Sequence, residues 1–464
     1  MHLRNDMRQK NTQKNLDFNS TPTGEARVAG GEATESFSAK HAPESPASTN
    51  QLMEEICERE NLKRALQRVK ANKGSPGIDG MTVEELPGYL QQHWPAIREQ
   101  LLSGTYEPKP VRRVEIAKLD GGGMRKLGIP TTLDRFVQQA VLQVLQRQCD
   151  PTFSEHSYGF RPGRSAHQAV AQAQKNIAEG YSWVVDLDLE KFFDRVNHDK
   201  LMGQIAKRVE DKRLRKLIRA FLNAGVMEGG LVSPSVEGTP QGGPLSPLLS
   251  NLVLDELDRE LERRGHRYCR YADDGNIYVR SEQAGQRVME SITRFITHKL
   301  KLKVNEAKSA VAKPQERKFL GFSFSAGPEV KRTVAPKALD RFKRRIREIT
   351  RQAKGGSIKT TIAELASYMR GWRGYFGFCE TPEVLVYLTR WVRLRLRAAL
   401  WRQWKTYRRR RAALIALGVR PRLAANTAGS GRGPWYLARS KALSVGLSNA
   451  YFQSLGLPSL VEDC

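Results

Sequence analysis

The sequence has few cysteines, and no two of them lie close together. Neighbouring cysteines are common ligands of structural zinc, and dense cysteine patterns mark small secreted domains held by disulfides. Neither pattern is present, so the sequence predicts no zinc ribbon and no disulfide framework. The 5 cysteines in 464 residues are Cys57, Cys149, Cys269, Cys379 and Cys464.

Long apolar runs are also missing from the chain. No uninterrupted apolar stretch approaches the ~20 residues that a membrane-spanning helix needs, and there is no lipidation signal. The N-terminal residues are polar and contain no apolar signal-peptide core. We therefore expect a cytoplasmic protein with no membrane partner.

Acidic residues are scarce relative to basic ones. The chain has 77 Lys and Arg against 49 Asp and Glu, a formal net charge of +28, and a pI of about 10.1. An excess of this size predicts a polyanionic partner rather than an acidic small molecule. Nucleic acid is the expected partner, and salt should weaken its binding steeply because binding releases counterions.

Large apolar side chains are rare in the first 50 residues, which are rich in Ser, Thr, Ala, Gly, Asn and Glu. Such a segment cannot bury enough surface to fold by itself. We expect a disordered leader there, with folded structure beginning near Gln51.

The most informative motif that is present is the tetrapeptide Tyr271-Ala272-Asp273-Asp274. Adjacent carboxylates raise each other's pKa unless cations neutralise them. Mg²⁺ suits this role because it prefers hard oxygen ligands, and two such ions can activate an attacking hydroxyl and stabilise a leaving pyrophosphate. By itself, an Asp-Asp-Gly sequence is most often a solvated hairpin turn.

A second acidic segment lies upstream of this motif. Residues 183–188 alternate as a strand does, which sends Asp186 and Asp188 to one face. Residues 266–271 and 276–279 are predicted to be strands joined by a turn at 272–275, because Asp-Gly is a strong hairpin signal. The adjacent aspartates then lie at the tip, where one or both acids of the upstream strand could meet them.

These segments occur in the order found in reverse transcriptases, a family that the sequence resembles. Tyr-Ala-Asp-Asp is the signature of that family, and residues 187–194 resemble its first catalytic motif. Residues 238–247 resemble its Pro-Gln-Gly segment, and residues 318–322 resemble the Phe-Leu-Gly strand that supports the primer end. Several matching blocks in the correct order are far more specific than any one of them.

The resemblance implies an active site with two Mg²⁺ ions. Asp188 is preferred to Asp186 because it lies five positions before Phe193, which is the spacing found in the family. Asp186 would then support the site without binding metal. The implied catalytic acids and metal ligands are Asp188, Asp273, Asp274 and the backbone carbonyl of Leu189.

The resemblance also implies a binding site for the incoming deoxynucleotide. Residues 118–130 are predicted to be two strands joined by a glycine turn, so that Lys118 and Arg125 converge on the triphosphate. Gln241 would contact the nucleotide, and Phe193 would exclude a ribose 2′ hydroxyl. From the residues alone, Phe193 is equally well explained as a core aromatic.

Nucleic-acid contacts are predicted in two basic regions. In residues 157–167, Ser165 is a candidate N-cap for a helix that runs to about Ala178, and a basic loop before a helix N-terminus suits a phosphate backbone. Between residues 331 and 411, basic residues alternate with aromatics that can stack on unpaired bases. A helical core with a solvated basic face would give the same pattern. The predicted contacts are Arg161, Arg164, Arg370, Arg373, Arg408, Arg409, Arg410 and Arg411.

The second basic region resembles the thumb and maturase domain of group II intron-encoded proteins. That family implies an RNA-directed DNA polymerase that copies intron RNA into DNA and assists its splicing. The implied partners are group II intron RNA, an RNA template with a DNA primer, deoxynucleotides and target DNA. The last forty residues lack the Cys/His spacing of the family's nuclease domain, so we expect that activity to be absent.

Two other functions are left open by the sequence. A retron, diversity-generating or defence-type reverse transcriptase would share the catalytic motifs, but not the basic thumb in this form. A maturase that only binds and folds RNA commonly loses the catalytic acids, which are retained here.

The fold implied by the resemblance is α+β, a right-hand polymerase with fingers, palm and a basic all-α thumb. Its parts would be a leader (1–50), an N-terminal extension with the fingers (51–180), a palm (181–328), a helical thumb and maturase domain (329–412) and a small C-terminal extension (413–464).

Overall fold

The computed structural model describes residues 51–117, 123–228, 231–233, 238, 242–327, 329–352 and 357–461, apart from the side chains of Ala117, Arg125 and Gln352. The predictions made for residues 1–50, Lys118, Gln241 and Cys464 lie outside these described residues.

Helices and strands are mixed along the described chain, which confirms the predicted α+β class. The helices are α1 (Leu52–Ile56), α2 (Arg59–Ala71), α3 (Leu86–Ser103), α4 (Thr132–Cys149), α5 (Ala166–Ala178), α6 (His198–Ala206), α7 (Lys212–Asn223), α8 (Ser246–Arg263), α9 (Glu282–Phe295), α10 (Pro336–Gln352), α11 (Ile358–Phe376), α12 (Pro382–Gln403), α13 (Tyr407–Ala416), α14 (Pro421–Ala428), α15 (Pro434–Leu437), α16 (Lys441–Gly446) and α17 (Asn449–Ser454). The strands are β1 (Val111–Ala117), β2 (Met124–Ile129), β3 (Trp183–Leu187), β4 (Val226–Glu228), β5 (Leu231–Ser233), β6 (Arg267–Tyr271), β7 (Asp274–Val279), β8 (Ala310–Ala312), β9 (Phe322–Phe324) and β10 (Arg332–Val334).

A four-stranded sheet in the order β6-β7-β3-β8 forms the central sheet, and its neighbouring strands are all antiparallel. In β3, Val185 and Leu187 project to one face while Val184 projects to the other, as the two-residue period of a strand requires. Helices α8 and α9 cover the first face, and α5 packs on the second. Both faces of the sheet are therefore buried.

Two apolar cores lie on the opposite faces of the central sheet. The first includes residues of α1–α4 and α6–α9, and the second includes residues of α5, β9 and α10–α12. The apolar stripe that the sequence predicts on α10 is confirmed, because Phe342, Ile346 and Ile349 are almost fully buried in the second core. The basic residues of α10 consequently face away from that core.

Helix α5 begins where the sequence predicts. The Ser165 hydroxyl accepts a hydrogen bond from the backbone N–H of Gln168, and the Gln168 side chain accepts one from the N–H of Ser165. This reciprocal pair is a capping box, which satisfies two N–H groups that the helix itself cannot pair. The predicted N-cap and the predicted end at Ala178 are both confirmed.

The C-terminal helices pack on α12 and share the second core. Leu447 and Phe452 are fully buried there. The N–H of Leu460 donates to the Thr389 hydroxyl at 3.1 Å, and Arg397 Nε donates to the carbonyl of Leu447 at 3.0 Å. Residues 413–461 are thus held by apolar burial and by hydrogen bonds to α12.

A second sheet, in the order β2-β1-β4-β5, lies outside the central one. Strands β1 and β2 pair antiparallel, as the sequence predicts, but β1 lies at Val111–Ala117, before the predicted range of 118–130. Strand β4 pairs with β1 in parallel. Within the described residues, no helix combines the length and the apolar character needed to cross a membrane.

Candidate active site

A tight turn joins β6 to β7 and carries the adjacent aspartates. Tyr271 pairs with Asp274 in the ladder, so Ala272 and Asp273 form a two-residue loop. Ala272 has a φ of 57°, the left-handed conformation that a type II′ turn needs at this position. The sequence predicts a wider turn at 272–275 from its Asp-Gly pair, and that prediction is wrong because Asp274 and Gly275 already belong to β7.

The turn is held by Arg270, a residue of β6 that is 3% exposed. Its guanidinium donates to the two carboxylate oxygens of Asp258 on α8, at 2.8 and 2.5 Å. It also donates to the carbonyl of Ala272 at 2.9 Å, to the side-chain oxygen of Asn251 and to the hydroxyl of Ser157, so that every N–H of the guanidinium is used. Burial disfavours the charged form, but the Asp258 carboxylate outweighs it and raises the pKa of Arg270.

The loop before α5 packs directly on this turn. The N–H of Tyr158 donates to the carbonyl of Arg270 at 2.8 Å. A Cβ atom on Gly159 would lie 2.2 Å from the backbone nitrogen of Ala272, so only glycine fits there. The Asn251 side chain donates to the Gly159 carbonyl at 2.9 Å. Helix α8 therefore fixes both the loop and the turn.

Asp188 follows the last residue of β3. Continuing the β3–β7 register by one step places Asp188 opposite Asp274. The N–H of Asp188 donates to the Ser309 hydroxyl at 3.0 Å, and its carbonyl accepts from the N–H of Asn305 at 2.8 Å. Lys308 Nζ lies 3.8 Å from the Asp188 carboxylate, and both side chains are well exposed. The backbone of Asp188 is thus fixed while its carboxylate stays accessible.

Asp186 is in a different situation from Asp188. Its carboxylate accepts from Arg317 Nε at 2.8 Å and lies 2.6 Å from Arg317 Nη2. The same guanidinium donates to the carbonyl of Lys308 at 2.5 Å, which ties it to the loop beside Asp188. Asp186 is therefore held in an ion pair with Arg317, which supports Asp188 as the metal-binding acid of this strand.

The four carboxylates around the turn repel one another. Burial and the charges of Asp186, Asp273 and Asp188 together raise the pKa of Asp274 to about 7, although the opposite charge of Lys318 lowers it. A carboxylate with such a pKa is easily ionised when a cation arrives. A bound cation would therefore reduce the repulsion between these carboxylates.

The donor set fits Mg²⁺ better than a metal that needs a closed cage. Asp188, Asp273 and Asp274 supply the hard oxygen atoms that this ion prefers. Among the residues that the structure describes, no group of three or more His, Cys, Asp or Glu side chains is arranged to hold a metal ion by itself. Mg²⁺ usually binds one or two carboxylates and keeps water and substrate phosphates in its shell, so an open carboxylate set suits it.

Phe193 lies five residues beyond Asp188 and is half-buried. Its ring meets that of the buried Phe192 edge-on, with the ring centroids 5.2 Å apart. Phe192 belongs to the first core, while Phe193 only packs against it. Phe193 is thus only partly covered by the first core.

Gly238 and Gly242, which flank Gln241 in the sequence, each lie close to the backbone of another segment. A Cβ atom on Gly238 would lie 2.8 Å from the carbonyl of Phe193, and one on Gly242 would lie 2.8 Å from the carbonyl of Gly128 in β2. Gly238 therefore lies against the residues after β3, and Gly242 lies against the strand that carries Arg125. The side-chain positions of Lys118, Arg125 and Gln241 stay predictions.

The predicted basic contacts of the loop before α5 need revision. The Arg161 guanidinium is buried and donates to the Asp150 side chain at 2.9 Å and to the carbonyls of Ser154 and Ser157. With its charge paired inside the protein, Arg161 serves to fix the loop, and we leave it out of the nucleic-acid surface. Arg164 is half-buried, and its guanidinium lies 5.7 Å from the ring centre of Tyr158.

The predicted contacts on the C-terminal helices are mostly exposed. Arg410 is the exception in α13, because its Nε donates to the carbonyl of Trp404 at 2.8 Å and its guanidinium lies 4.7 Å from the ring centre of Trp401. Arg373 on α11 is half-buried. The exposed members of the set are Arg370, Arg408, Arg409 and Arg411.

Sequence reasoning missed the residues that support the carboxylates. Asp258 lies on the apolar stripe of α8 between Leu254 and Leu261, and an acid at such a position signals a buried partner. That signal was available in the sequence. Arg317 and Lys308 carry no comparable local signal, because only the folded loop brings them to β3.

Removing one partner of the buried pair is expected to destabilise the protein. Replacing Arg270 with Met leaves Asp258 buried without its cation, which should lower the free energy of unfolding by about 3–5 kcal/mol. Urea unfolding followed by circular dichroism measures this. The matched control is Arg263→Met, which removes an exposed arginine of α8 paired with Glu260 and should change little. Equal effects of the two changes would contradict the role given to Arg270.

Replacing Asp274 with Asn is expected to stabilise the metal-free protein at high pH. The unfolded chain releases this proton near pH 3.8 but the folded protein holds it to about 7, so wild-type stability falls as pH rises through this window and stays low above it. Asn is uncharged like the protonated acid, so the variant does not lose this stability as the pH rises. Calorimetry with a chelator should show a higher Tm for the variant at pH 8 and almost none of this difference at pH 4.

The exposed Asp199, replaced with Asn, is the control for the calorimetric series and should show no such pH dependence. An Asp274→Asn protein less stable than wild type at pH 8 would contradict the repulsion described above.

Two family models match the chain. Residues 116–324 match the reverse transcriptase (RNA-dependent DNA polymerase) family, and residues 339–414 match the maturase-specific domain of group II introns. Both matches agree with the motifs quoted from the sequence. The first confirms the predicted polymerase domain and the second confirms the predicted maturase region.

Curated relatives agree with the family models. Protein YkfC of Escherichia coli is 33% identical over 300 residues, which cover 56% of this chain and 78% of YkfC. The group II intron-encoded protein LtrA of Lactococcus lactis is 32% identical over 323 residues, which cover 56% of this chain and 54% of LtrA. Nuclear intron maturase 4 of Arabidopsis thaliana is 33% identical over 145 residues, or 31% of this chain and 18% of that protein. The chain therefore belongs to the family of group II intron-encoded reverse transcriptases and maturases.

Proposed function

We propose that this protein copies the RNA of a group II intron into DNA and binds the same RNA to assist its splicing. The observation that carries the polymerase activity is the β3–β7 register, which sets Asp188 opposite Asp274 with Asp273 at the adjacent tip. A purely RNA-binding protein has no need for a carboxylate cluster whose charges repel.

The described residues have complementary roles in the proposed reaction. Asp188, Asp273 and Asp274 would hold two Mg²⁺ ions, which supply activation of a primer 3′ hydroxyl and stabilisation of the departing pyrophosphate. Arg270 fixes the turn through the Ala272 carbonyl. Arg317 holds Asp186 in an ion pair, so that Asp186 does not compete for the metal. Positioning and fixed charge supply most of the catalysis in phosphoryl transfer.

Deoxynucleotides are the proposed substrates. The backbone of Phe193 lies against Gly238, three residues before Gln241, and the half-buried Phe193 ring is proposed to exclude a ribose 2′ hydroxyl. Lys118 and Arg125 are proposed to bind the triphosphate through charge-assisted hydrogen bonds, and Gln241 to contact the nucleotide. The Leu189 carbonyl is proposed to complete the metal shell.

The proposed RNA-binding surface lies on α10–α13. Trp372 and Trp401 are buried in the second core, which identifies them as structural residues. Tyr387 and Tyr407 are about half exposed, and Lys343 Nζ lies 5.1 Å from the Tyr387 ring centre. Exposed rings among basic side chains can stack on bases, and the basic side chains can contact phosphates. Intron RNA, the RNA template with its DNA primer, and target DNA are the proposed partners.

Replacing Asp273 with Asn should abolish DNA synthesis while leaving RNA binding nearly intact. A metal-binding carboxylate should be worth at least about 100-fold in rate, as single electrostatic groups in active sites commonly are, whereas it contributes nothing to a basic RNA surface. Primer extension on an RNA template with Mg²⁺ measures the first effect, and filter binding measures the second. Asp199→Asn is the control, because Asp199 is an exposed aspartate on α6.

Equal loss of RNA binding and synthesis in Asp273→Asn would contradict the separation of the two surfaces. No synthesis by the wild-type protein on a well-annealed template would instead favour a maturase that only binds RNA.

Replacing Arg408, Arg409 and Arg411 together with Gln should reduce the salt sensitivity of RNA binding. Each single-strand phosphate contact contributes about −0.7 to the slope of log K against log salt, so losing three should flatten it by about 2. Arg410 is kept because it packs on Trp401. An unchanged slope would remove α13 from the binding surface.

The control for this triple change removes the same charge elsewhere. Arg263, Arg287 and Arg294 are exposed on α8 and α9, which cover the other face of the central sheet. Their replacement with Gln should leave the salt slope nearly as in the wild type.

A further inference from the structure

Phe160 is a strained and exposed aromatic residue beside the catalytic turn. Its φ is 59°, in the left-handed region that a bulky side chain rarely occupies. Its side chain is 46% exposed, so burial of the ring does not compensate for the backbone conformation. Strain of this kind persists only where the surroundings impose it, and it is concentrated at functional sites.

Both neighbours of Phe160 are fixed by the protein interior. Gly159 is pressed against Ala272, where no Cβ atom fits. Arg161 is buried and bound to Asp150 and to two carbonyl groups. The carbonyl of Phe160 itself accepts a hydrogen bond from the Gln146 side chain at 3.1 Å. The backbone is thus fully determined, and it turns the phenyl ring outward.

The Phe160 ring lies beside the catalytic turn. Its centroid lies 6.3 Å from that of Tyr271, with 43° between the ring planes. Tyr271 is the residue immediately before the loop of Ala272 and Asp273. Two aromatic rings therefore stand beside the catalytic turn, and one of them has no comparable packing role in either core.

Resting on the polymerase function proposed above, we infer that Phe160 is a positioning residue for the primer–template. Its ring makes apolar contact with the bases and sugars at the growing end of the RNA–DNA hybrid, and so sets the primer terminus against Asp188 and Asp273. Contacts between aromatic side chains and nucleotides commonly make a measurable contribution to affinity. The strained loop holds the ring in place before the hybrid binds.

The test exploits opposite effects on stability and binding. Phe160→Gly and Phe160→Asn both remove the ring and both tolerate the left-handed backbone. Their Tm should be unchanged or higher than that of the wild type, while the Kd for an annealed RNA–DNA primer–template should rise about 10-fold. Phe160→Trp should restore most of the affinity. In primer extension, KM for the primer–template should rise more than kcat falls.

Lys301→Gly is the matched control for strain. Lys301 is exposed, has a φ of 58°, and lies six residues after the end of α9. Its replacement should not lower Tm and should leave the Kd for the primer–template unchanged. This separates relief of backbone strain from loss of a nucleic-acid contact.

Two results would overturn the inference. Unchanged Kd in Phe160→Gly and Phe160→Asn would show that the ring does not contact the hybrid, and a clear drop in Tm of both would make Phe160 a structural residue. The binding measurement needs no synthesis. A wild-type protein that binds the hybrid but extends no primer would count against the proposed polymerase function alone, while the variants' affinities still decide the role of Phe160.

Discussion

The buried ion pair between Arg270 and Asp258 is the interaction on which the geometry of the active site depends. Burying two charges is costly, and an apolar pair of similar volume is often just as stable. An apolar pair would not donate to the Ala272 carbonyl, to Asn251 or to Ser157, as Arg270 does. We infer that the pair is valuable because it joins β6, α8 and the loop before α5 to one turn, and so fixes where Asp273 and Asp274 lie.

Several residues around this turn have backbone conformations or carboxyl pKa values that are unusual in proteins. Ala272 and Phe160 both adopt left-handed backbone conformations, and Asp274 has a carboxyl pKa raised to about 7 by burial and by its acidic neighbours. Each feature costs stability, and departures of this kind are expected where a protein is organised for function. Arg317 and Lys308 offset part of the negative charge, because they lie beside Asp186 and Asp188. The remaining charge is what a metal–nucleotide complex would neutralise.

The sequence predicted the parts of this arrangement that follow from local patterns. The alternation in β3, the N-cap at Ser165 and the apolar stripe on α10 are short-range signals, and all three were predicted correctly. The turn was misplaced because Asp274-Gly275 looked like a hairpin tip, whereas contact with Gly159 and the Arg270 donor select a tighter turn at Ala272. Long-range partners could not be predicted, since Arg317 reaches Asp186 only through the folded loop. The burial of Arg161 was hidden for the same reason.

The most direct test of the account is the location of bound metal. A crystal of the protein with an annealed primer–template, a non-hydrolysable deoxynucleotide and Mn²⁺ would show each ion by its anomalous scattering. We predict two peaks roughly 3.5–4 Å apart, bound by the carboxylates of Asp188, Asp273 and Asp274, with Asp186 still paired with Arg317. Peaks bound by Asp186 with Arg317 displaced, or no peak near Asp188, would contradict it.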